Sequence, residues 1–319
     1  MGPITGLLAQ RIALGLLLLF LVSILIFVGT MLLPGDVAQQ ILGQSATPEA
    51  VANLRAELGL NDPPLTRYLE WLGGLLSGDL GTALTSGQSI NETVGRRLGN
   101  TLFLAFWAAI IAVPLAIFLG LLAVRYLDRW PDKMISATTL TTISMPEFVI
   151  GYILMFILGV QLNWFSPTAV GFRPDADLLT RLDSIAIPIM VLTLVVLAHM
   201  MRMTRAAILN VMQSAYIETA ELKGLSTFTI IRKHAFPNSV SPIVNVVMLN
   251  LAYLVVGVVV VEVVFVYPGM GQYLVDHVTK RDLPVVQACG MIFATIYIGL
   301  NLVADVVSIL TNPRLRHPK

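Results

Sequence analysis

Residues 214–242 read SAYIETAELKGLSTFTIIRKHAFPNSVSP and form the longest polar interruption in the apolar C-terminal half of the chain. The sequence predicts a short helix from an N-cap at Ser214 to a stop at Gly224, because Gly commonly follows a helix C-terminus. It also predicts a second helix that begins near Ser226 and breaks before Pro237. Two such amphipathic helices either lie on a bilayer surface or fill a groove on a soluble partner.

The composition is that of a membrane protein. Of the 319 residues, 56% are hydrophobic and 12% are charged, whereas a soluble globular protein carries roughly 25% charged residues. The net charge of +1 argues against a nucleic-acid partner, because no basic domain stands out. The single cysteine, Cys289, excludes an intrachain disulfide. His199 and His234 are isolated along the chain, so we expect no metal site and no cofactor.

Six apolar runs are candidates to cross a bilayer, for which about 20 residues are needed. They are Ile12–Leu33, Thr101–Val124, Met134–Val160, Ile185–Met201, Ile243–Val266 and Leu283–Leu310. The first run is too long for a secretory signal, whose apolar core holds about 7–15 residues, so we interpret it as a retained span. Pro114, Pro146 and Pro188 lie inside runs, where we expect kinks that neighbouring helices tolerate.

We therefore predict an all-α membrane protein with six transmembrane helices. The chain divides into three parts, which are residues 1–33 with the first span, a polar loop region at 34–100, and a core of five helices at 101–319. In the loop region we expect two short helices, Pro48–Leu58 and Leu65–Leu76. Tyr68 and Trp71 are expected at the membrane interface, where aromatic residues are enriched.

The distribution of Lys and Arg sets the expected orientation, because these residues concentrate in cytoplasmic segments. With the N-terminus in the cytoplasm, twelve of the twenty Lys and Arg residues fall on the inner side. Residues 34–100 are then extracytoplasmic, whereas residues 214–242 and both termini are cytoplasmic.

Three acids interrupt the apolar runs, and such acids usually face the bundle interior or water. Glu147 either lines a path or forms hydrogen bonds with carbonyls that Pro146 frees. Glu262, which precedes Phe265 near the outer end of its run, is either an interfacial carboxylate close to water or an acid of an outer gate or pathway. Asp305 is expected to pair with an Arg of the inner segments, which gives it a structural role.

Two asparagines on the fifth run extend this set. Asn245 and Asn250 either line a polar path or form hydrogen bonds between helices. The candidate residues for a translocation pathway or gate are Glu147, Asn245, Asn250, Glu262 and Phe265.

The stretch Glu218-Thr219-Ala220, followed after three residues by Gly224, resembles the EAA loop of ABC importer permeases. That family continues with nine residues and an I-x-L-P element, and here nine residues lead to His234-Ala235-Phe236-Pro237. Thr219, His234 and Phe236 depart from the family pattern. The resemblance implies a cytoplasmic coupling helix within 214–242 that docks on an ATPase subunit. The implied coupling residues are Glu218, Thr219, Ala220, Lys223, Gly224, His234 and Pro237.

Further motifs extend the resemblance over nearly the whole chain. The N-terminal part contains Leu33-Pro34-Gly35-Asp36 and Gly78-Asp79-Leu80-Gly81. The C-terminal third contains, in order, Glu262-x-x-Phe265, Pro268-Gly269-x-Gly271, Arg281-Asp282-x-Pro284, Asn301-Leu302-x-x-Asp305 and Asn312-Pro313-Arg314. The order is similar to that in the first permease subunit of the dipeptide, oligopeptide and nickel importers, with Asn312 in place of Asp.

The resemblance implies a permease subunit of an ATP-driven importer in the bacterial inner membrane, for peptides or a similar small solute. The implied partners are a second homologous permease, two ATPase subunits, an extracytoplasmic solute-binding protein and membrane lipid. The chain contains no Gly-Lys dipeptide and hence no Walker A loop, so we expect it not to be an enzyme. ATP and Mg would bind to the ATPase subunits. Dipeptides, oligopeptides, glutathione, nickel chelates and sugars all stay open as substrates.

Two other functions stay open at this stage. A proton-coupled secondary transporter would use Glu147, Glu262 or Asp305 as the proton carrier, although the sequence shows no convincing internal repeat of the kind that many such transporters have. A membrane scaffold or enzyme is the second alternative, but the chain contains neither His-Glu-x-x-His nor Gly-x-Ser-x-Gly.

Overall fold

The computed structural model describes residues 3–311, which fold as helices and connecting loops with one isolated β-bridge. The predicted Asn312-Pro313-Arg314 motif lies outside the described residues. In chain order the α-helices of the described range are α1 (Pro3–Met31), α2 (Val37–Leu42), α3 (Pro48–Glu57), α4 (Pro64–Ser77), α5 (Ile90–Arg125), α6 (Trp130–Ser144), α7 (Glu147–Leu154), α8 (Leu178–Ser184), α9 (Ala186–Met212), α10 (Ala215–Leu222), α11 (Thr227–Ile230), α12 (Phe236–Phe265), α13 (Met270–Lys280) and α14 (Leu283–Thr311). A 3₁₀ turn follows α2, and π-helical turns follow α7 and α11.

Six segments of the described range are long and apolar enough to cross a membrane, if one bent pair counts as a single span. The unbroken segments are Gly6–Met31, Ile90–Arg125, Ala186–Met212, Thr227–Phe265 and Leu283–Val307, and the bent pair is Trp130–Ser144 with Glu147–Gln161. Each segment overlaps one of the predicted apolar runs, although the bounds differ. The prediction of an all-α protein with six spans is confirmed.

A stripe of small residues on α5 lets α9 pack closely against it. Ala108, Ala112 and Ala116 are fully buried, and they lie on one side of the helix because they are four residues apart. Gly120 continues the stripe, and a Cβ atom there would lie 2.9 Å from Cγ2 of Thr204 in α9. Small residues of this kind permit close helix approach within membranes. From α9 the packing continues through α12 and α14 to α1.

The prediction that Pro146 only kinks its span is wrong. The chain turns by 105° there, so that α6 and α7 are separate helices. Met145 has extended backbone angles, φ −98° and ψ 134°, which a following proline favours through its steric clash with the preceding residue. The span is therefore broken, and Glu147 begins the second helix.

The prediction that the second short helix breaks before Pro237 is also wrong. Residues Thr227–Phe265 form one continuous helix that contains a π-helical turn at Ile231–Ala235. A proline inside an α-helix normally removes a hydrogen bond and clashes with the carbonyl four residues earlier. A π-helical turn lies just before Pro237, and the helix continues through this proline.

The loop region forms the two predicted short helices and packs on α1. The rings of Tyr68 and Trp71 in α4 lie 5.3 and 6.0 Å from the ring of Phe27 in α1, and the hydroxyls of Tyr68 and Ser23 are hydrogen-bonded at 2.8 Å. Helix α5 begins at Ile90, so the last part of the region 34–100 already belongs to the second span.

The helical bundle has two ends, which differ in the segments that they hold. The loop end holds residues 34–89 and α13. The other end holds residues 126–129 and the polar segment 214–235, and we call it the segment end. There the guanidinium of Arg125, in the last turn of α5, lies 4.9 Å from the centre of the Phe228 ring.

A buried ion pair joins α6 to α9 near the segment end. Asp132 in α6 is 3% exposed, and Arg205 in α9 donates two hydrogen bonds to its carboxylate, from Nε (2.9 Å) and from Nη2 (2.8 Å). The backbone N–H of Asp128 donates a third, at 3.1 Å. Bidentate guanidinium–carboxylate pairs fix geometry as well as charge. The first half of the broken span is therefore tied to the helix that leads into residues 214–235.

We expect Arg205→Gln to destabilise the protein by about 3 kcal/mol, because the removal of one partner from a buried pair leaves an uncompensated charge. Arg202→Gln, on an exposed position of the same helix, is the matched control and should change stability by less than about 0.5 kcal/mol. Unfolding in mixed micelles, followed by tryptophan fluorescence, measures both. Equal stability of the two variants would show that the ion pair does not hold α6 to α9.

Candidate coupling and translocation sites

Helix α10 begins and ends as the sequence predicts, with Ser214 as its N-cap. At its C-terminus the N–H of Leu225 donates to the carbonyl of Ala220 (3.3 Å), and the N–H of Gly224 donates to the carbonyl of Glu221 (2.8 Å). These two bonds make a Schellman motif. Gly224 has a φ of +75°, a conformation that residues with a side chain rarely adopt. The turn between α10 and α11 therefore requires glycine at this position.

Segment 214–235 has one buried face and one exposed face. Ile217 and Ala220 of α10 are buried in an apolar cluster with Ile208 of α9. Leu222, on the other side of α10, is 84% exposed. The exposed face carries four large apolar side chains, Tyr216, Leu222, Leu225 and Phe228. The segment is thus firmly seated on the bundle and presents apolar groups outward.

The structure places all the predicted coupling residues on this segment or directly after it, at different depths. Glu218, Thr219, Lys223, Gly224 and Pro237 are exposed, His234 is half-buried and Ala220 is buried. The Thr219 hydroxyl bonds to its own helix, at Ala215 O (3.0 Å), which leaves its methyl group on the outer surface. A docking role for these residues stays a prediction. Sequence reasoning did not select Leu222 and Phe228, although their position beside the predicted motif was visible.

The candidate pathway residues fall into two groups. Glu147 lies at the break between α6 and α7, and the hydroxyl of Tyr253 in α12 donates to its Oε1 at 2.8 Å. Asn250 is buried and donates to Val246 O (2.8 Å) in its own helix, and Asn245 is half-buried. Glu262 and Phe265 lie at the loop end and are fully buried.

The carboxylate of Glu262 closes the N-terminus of α13. It accepts hydrogen bonds from the N–H of Gly271 (2.7 Å) and of Gln272 (3.1 Å), and from the hydroxyl of Thr101 in α5 (2.6 Å). Thr101 Oγ1 in turn accepts from the N–H of Met270 (2.8 Å). The first three N–H groups of α13, which have no partner inside a helix, are thus satisfied by α5 and α12. We call this group of five residues the clasp.

Glycine is required beside the clasp because no Cβ atom fits there. A Cβ on Gly269 would overlap the Glu262 carboxylate, and one on Gly271 would lie 2.7 Å from Cα of Val259. The predicted motifs Glu262-x-x-Phe265 and Pro268-Gly269-x-Gly271 are therefore two halves of one structural unit. Thr101 was missed by sequence reasoning, although a threonine at the very start of an apolar run was a visible signal.

Two further motifs, those that contain Asp282 and Asp36, also lie at the loop end. Asp282 accepts hydrogen bonds from Leu84 N–H (3.1 Å) and from the N–H and hydroxyl of Thr85 (2.8 and 2.7 Å). These bonds join the loop region to the start of α14.

Asp36 forms an ion pair with Arg55 at 2.7 Å. Burial raises the pKa of Asp36, but the hydrogen bond from Arg55 and that from the Ala38 N–H outweigh burial, so the pKa lies below its usual value.

At the other end of the bundle, Asp305 pairs with Arg11 at 3.1 Å. The predicted pairing of Asp305 with an arginine is confirmed, and Arg11 is one of the residues that the sequence assigns to the inner segments. The ion pair joins α14 to α1, in agreement with the packing of these two helices.

Comparison with protein families identifies the chain. Residues 112–317 match the family described as binding-protein-dependent transport system inner membrane component, and residues 4–105 match the N-terminal family of the same systems. The chain belongs to this permease family. Its relatives include a putative peptide transport system permease protein of Brucella abortus, which is 34% identical over 98% of this chain and 99% of the relative. They also include the glutathione transport system permease protein GsiC of Salmonella typhimurium, which is 36% identical over 94% of this chain and 95% of that protein.

A solved structure has the same fold. The permease is similar to a chain of the inward-facing MetNI methionine ABC transporter, with a TM-score of 0.51 and 17% identity, over 67% of this chain and 95% of that one. The resemblance to ABC importer permeases and the assignment to the inner membrane are confirmed. The proton-coupled alternative receives no support from the family, the relatives or the fold.

The clasp gives a prediction about the stability of the permease. Glu262→Gln should destabilise the bundle by about 2 kcal/mol, because a hydrogen bond to a charged group contributes about 1.5–3 kcal/mol. The NH₂ group of Gln is also a hydrogen-bond donor, and it would face the donors of the clasp. Glu147→Gln is the matched control, since it also neutralises a carboxylate within a span but one that is partly exposed. Denaturation in mixed micelles should show a loss for Glu262→Gln and none for Glu147→Gln. If Glu262→Gln were as stable as the wild type, the clasp would not hold α13.

Proposed function

We propose that this permease pairs with a second, homologous permease and two ATPase subunits, and that it imports peptides or a similar small solute delivered by an extracytoplasmic binding protein. The relatives named as peptide and glutathione transport permeases support this substrate class. ATP and Mg bind to the partner ATPase subunits. The segment end, with both chain termini, faces the cytoplasm, and the loop end faces the binding protein. The excess of Lys and Arg on the inner side supports this orientation.

The observation that carries the proposal is the exposed apolar face of segment 214–235. Leu222 and Phe228 are 84% and 50% exposed, at the end of the bundle that faces the cytoplasm in the proposed orientation. Contiguous exposed apolar groups rimmed by polar residues mark protein interaction sites. Glu218, Lys223 and Arg232 of the same segment are also exposed and supply polar groups near the apolar ones along the chain. The segment fits a groove on a soluble subunit better than a membrane surface, because α10 and α11 are already seated on the bundle.

The attachment of the segment explains how a partner's movement reaches the spans. Two residues separate the end of α9 from the start of α10, and α11 continues into α12 without a break. The buried cluster around Ile217 and Ile208 fixes α10 to α9. A displacement of α10 and α11 by the ATPase subunits is thus passed to two long helices of the core. One of them, α9, carries the Arg205 side of the ion pair to the broken span.

The test is co-purification of the tagged permease with the ATPase subunits encoded beside it. Leu222→Asp should abolish their recovery, because it places a charge in an apolar contact. Leu179→Asp is the matched control, since Leu179 is 78% exposed but lies in α8, which the proposed orientation places outside the cytoplasm. Retention of the ATPase subunits by both variants, together with uptake equal to that of the wild type, would refute docking through this face.

A further inference from the structure

Of the three acids predicted within the spans, Glu147 alone keeps an uncompensated charge in the described part of the chain. Glu262 accepts three hydrogen bonds in the clasp, and Asp305 pairs with Arg11. Glu147 accepts a hydrogen bond from the neutral phenol of Tyr253, and no Lys, Arg or His nitrogen of the described residues lies within 4.0 Å of it. Its negative charge is therefore available to a ligand.

The pair of Glu147 and Tyr253 lies near the middle of the membrane. Tyr253 is ten residues beyond the start of the apolar run Ile243–Val266, which is about 15 Å at the helical rise of 1.5 Å per residue. This is about half of the hydrocarbon thickness of about 30 Å. Tyr253 is 47% exposed and Glu147 is half-buried. A carboxylate at this depth is costly against lipid, and acids of this kind usually face the bundle interior or a water-filled cavity.

A stripe of hydroxyl groups on α6 leads to this pair. Thr138, Thr141 and Ser144 are exposed, and their spacing of three residues places them on one side of the helix. Each hydroxyl donates to a carbonyl of its own helix, at Met134, Ala137 and Leu140, over 2.9, 2.9 and 2.8 Å. Their oxygen lone pairs stay free to accept hydrogen bonds. The stripe ends at the Pro146 break, where Glu147 follows.

We propose that Glu147 and Tyr253 form a binding site within the membrane for the positively charged primary amino group of the transported solute. The carboxylate supplies the counter-charge and a strong acceptor, and the exposed Tyr253 ring offers a face for a cation. The hydroxyls of α6 accept further hydrogen bonds from the ammonium or from a peptide N–H. This site rests on the proposed function and adds to it the chemical class of the solute, which is one that carries a free ammonium group.

The test uses the assembled importer in nanodiscs, with Cys289→Ala to remove the native thiol and with Ser144→Cys as a reporter three residues before Glu147. The reporter is labelled by two methanethiosulfonate reagents of similar size, one bearing trimethylammonium and one bearing sulfonate. We expect Glu147→Gln to lower the ratio of cation to anion labelling rates severalfold, because the charge of the carboxylate acts oppositely on the two reagents. Glu147→Asp should keep the high ratio.

A second readout asks whether the site recognises an amino group. Diglycine, which has a free ammonium group, should slow labelling by the trimethylammonium reagent more than N-acetyldiglycine does at equal ionic strength. Glu147→Gln should remove this difference, whereas a purely structural role of Glu147 would leave it unchanged. Thr141→Cys serves as the reporter if Ser144→Cys impairs assembly.

Three results would overturn the proposal: an unchanged labelling ratio after Glu147→Gln, equal protection by the two peptides, or reporters at both positions that neither reagent reaches. ATPase subunits are quantified in the same samples. Where they are present, such a result refutes the ammonium site alone. Their absence from the wild-type complex would instead refute the proposed function on which the site rests.

Discussion

The architecture of the loop end depends on one buried carboxylate. Glu262 is fully buried, and its carboxylate is tolerated there because two backbone N–H groups and the Thr101 hydroxyl donate to it. The oxygens of this carboxylate accept hydrogen bonds at the start of α13, and its negative charge complements the positive end of the α13 dipole. Helices α5, α12 and α13 thereby meet at one point, and Gly269 and Gly271 leave the space for it.

The two ends of the bundle have different physical designs. At the loop end, buried polar groups form hydrogen bonds with one another inside the protein. Asp282 adds a second set of such bonds, which joins the loop region to α14. At the segment end the groups that stabilise the fold are buried, whereas the outward face is apolar and exposed. Between them lies the Pro146 break, where Glu147 begins α7 and accepts a hydrogen bond from Tyr253.

Local pattern was sufficient to predict the six spans, the ends of α10 and the pairing of Asp305, since each depends on residue types along one stretch or on a simple charge argument. Pro146 and Pro237 show where this fails, because the same residue type ends one helix and lies inside another, where a π turn precedes it. The clasp was out of reach for another reason. Thr101 and Glu262 are 161 positions apart, and a single sequence does not show which polar residues meet across the bundle.

Hydrogen exchange at the start of α13 tests the central claim, that Glu262 and Thr101 hold α13 on α5 and α12. The amides of Met270, Gly271 and Gln272 are followed in the assembled transporter, with the amide of the exposed residue Ser86, in the turn at residues 84–86, as an internal reference. Our account predicts slow exchange at all three amides in the wild type, and fast exchange after Thr101→Val at Met270 first, because its acceptor is lost. Exchange in the wild type as fast as in the reference turn would contradict it.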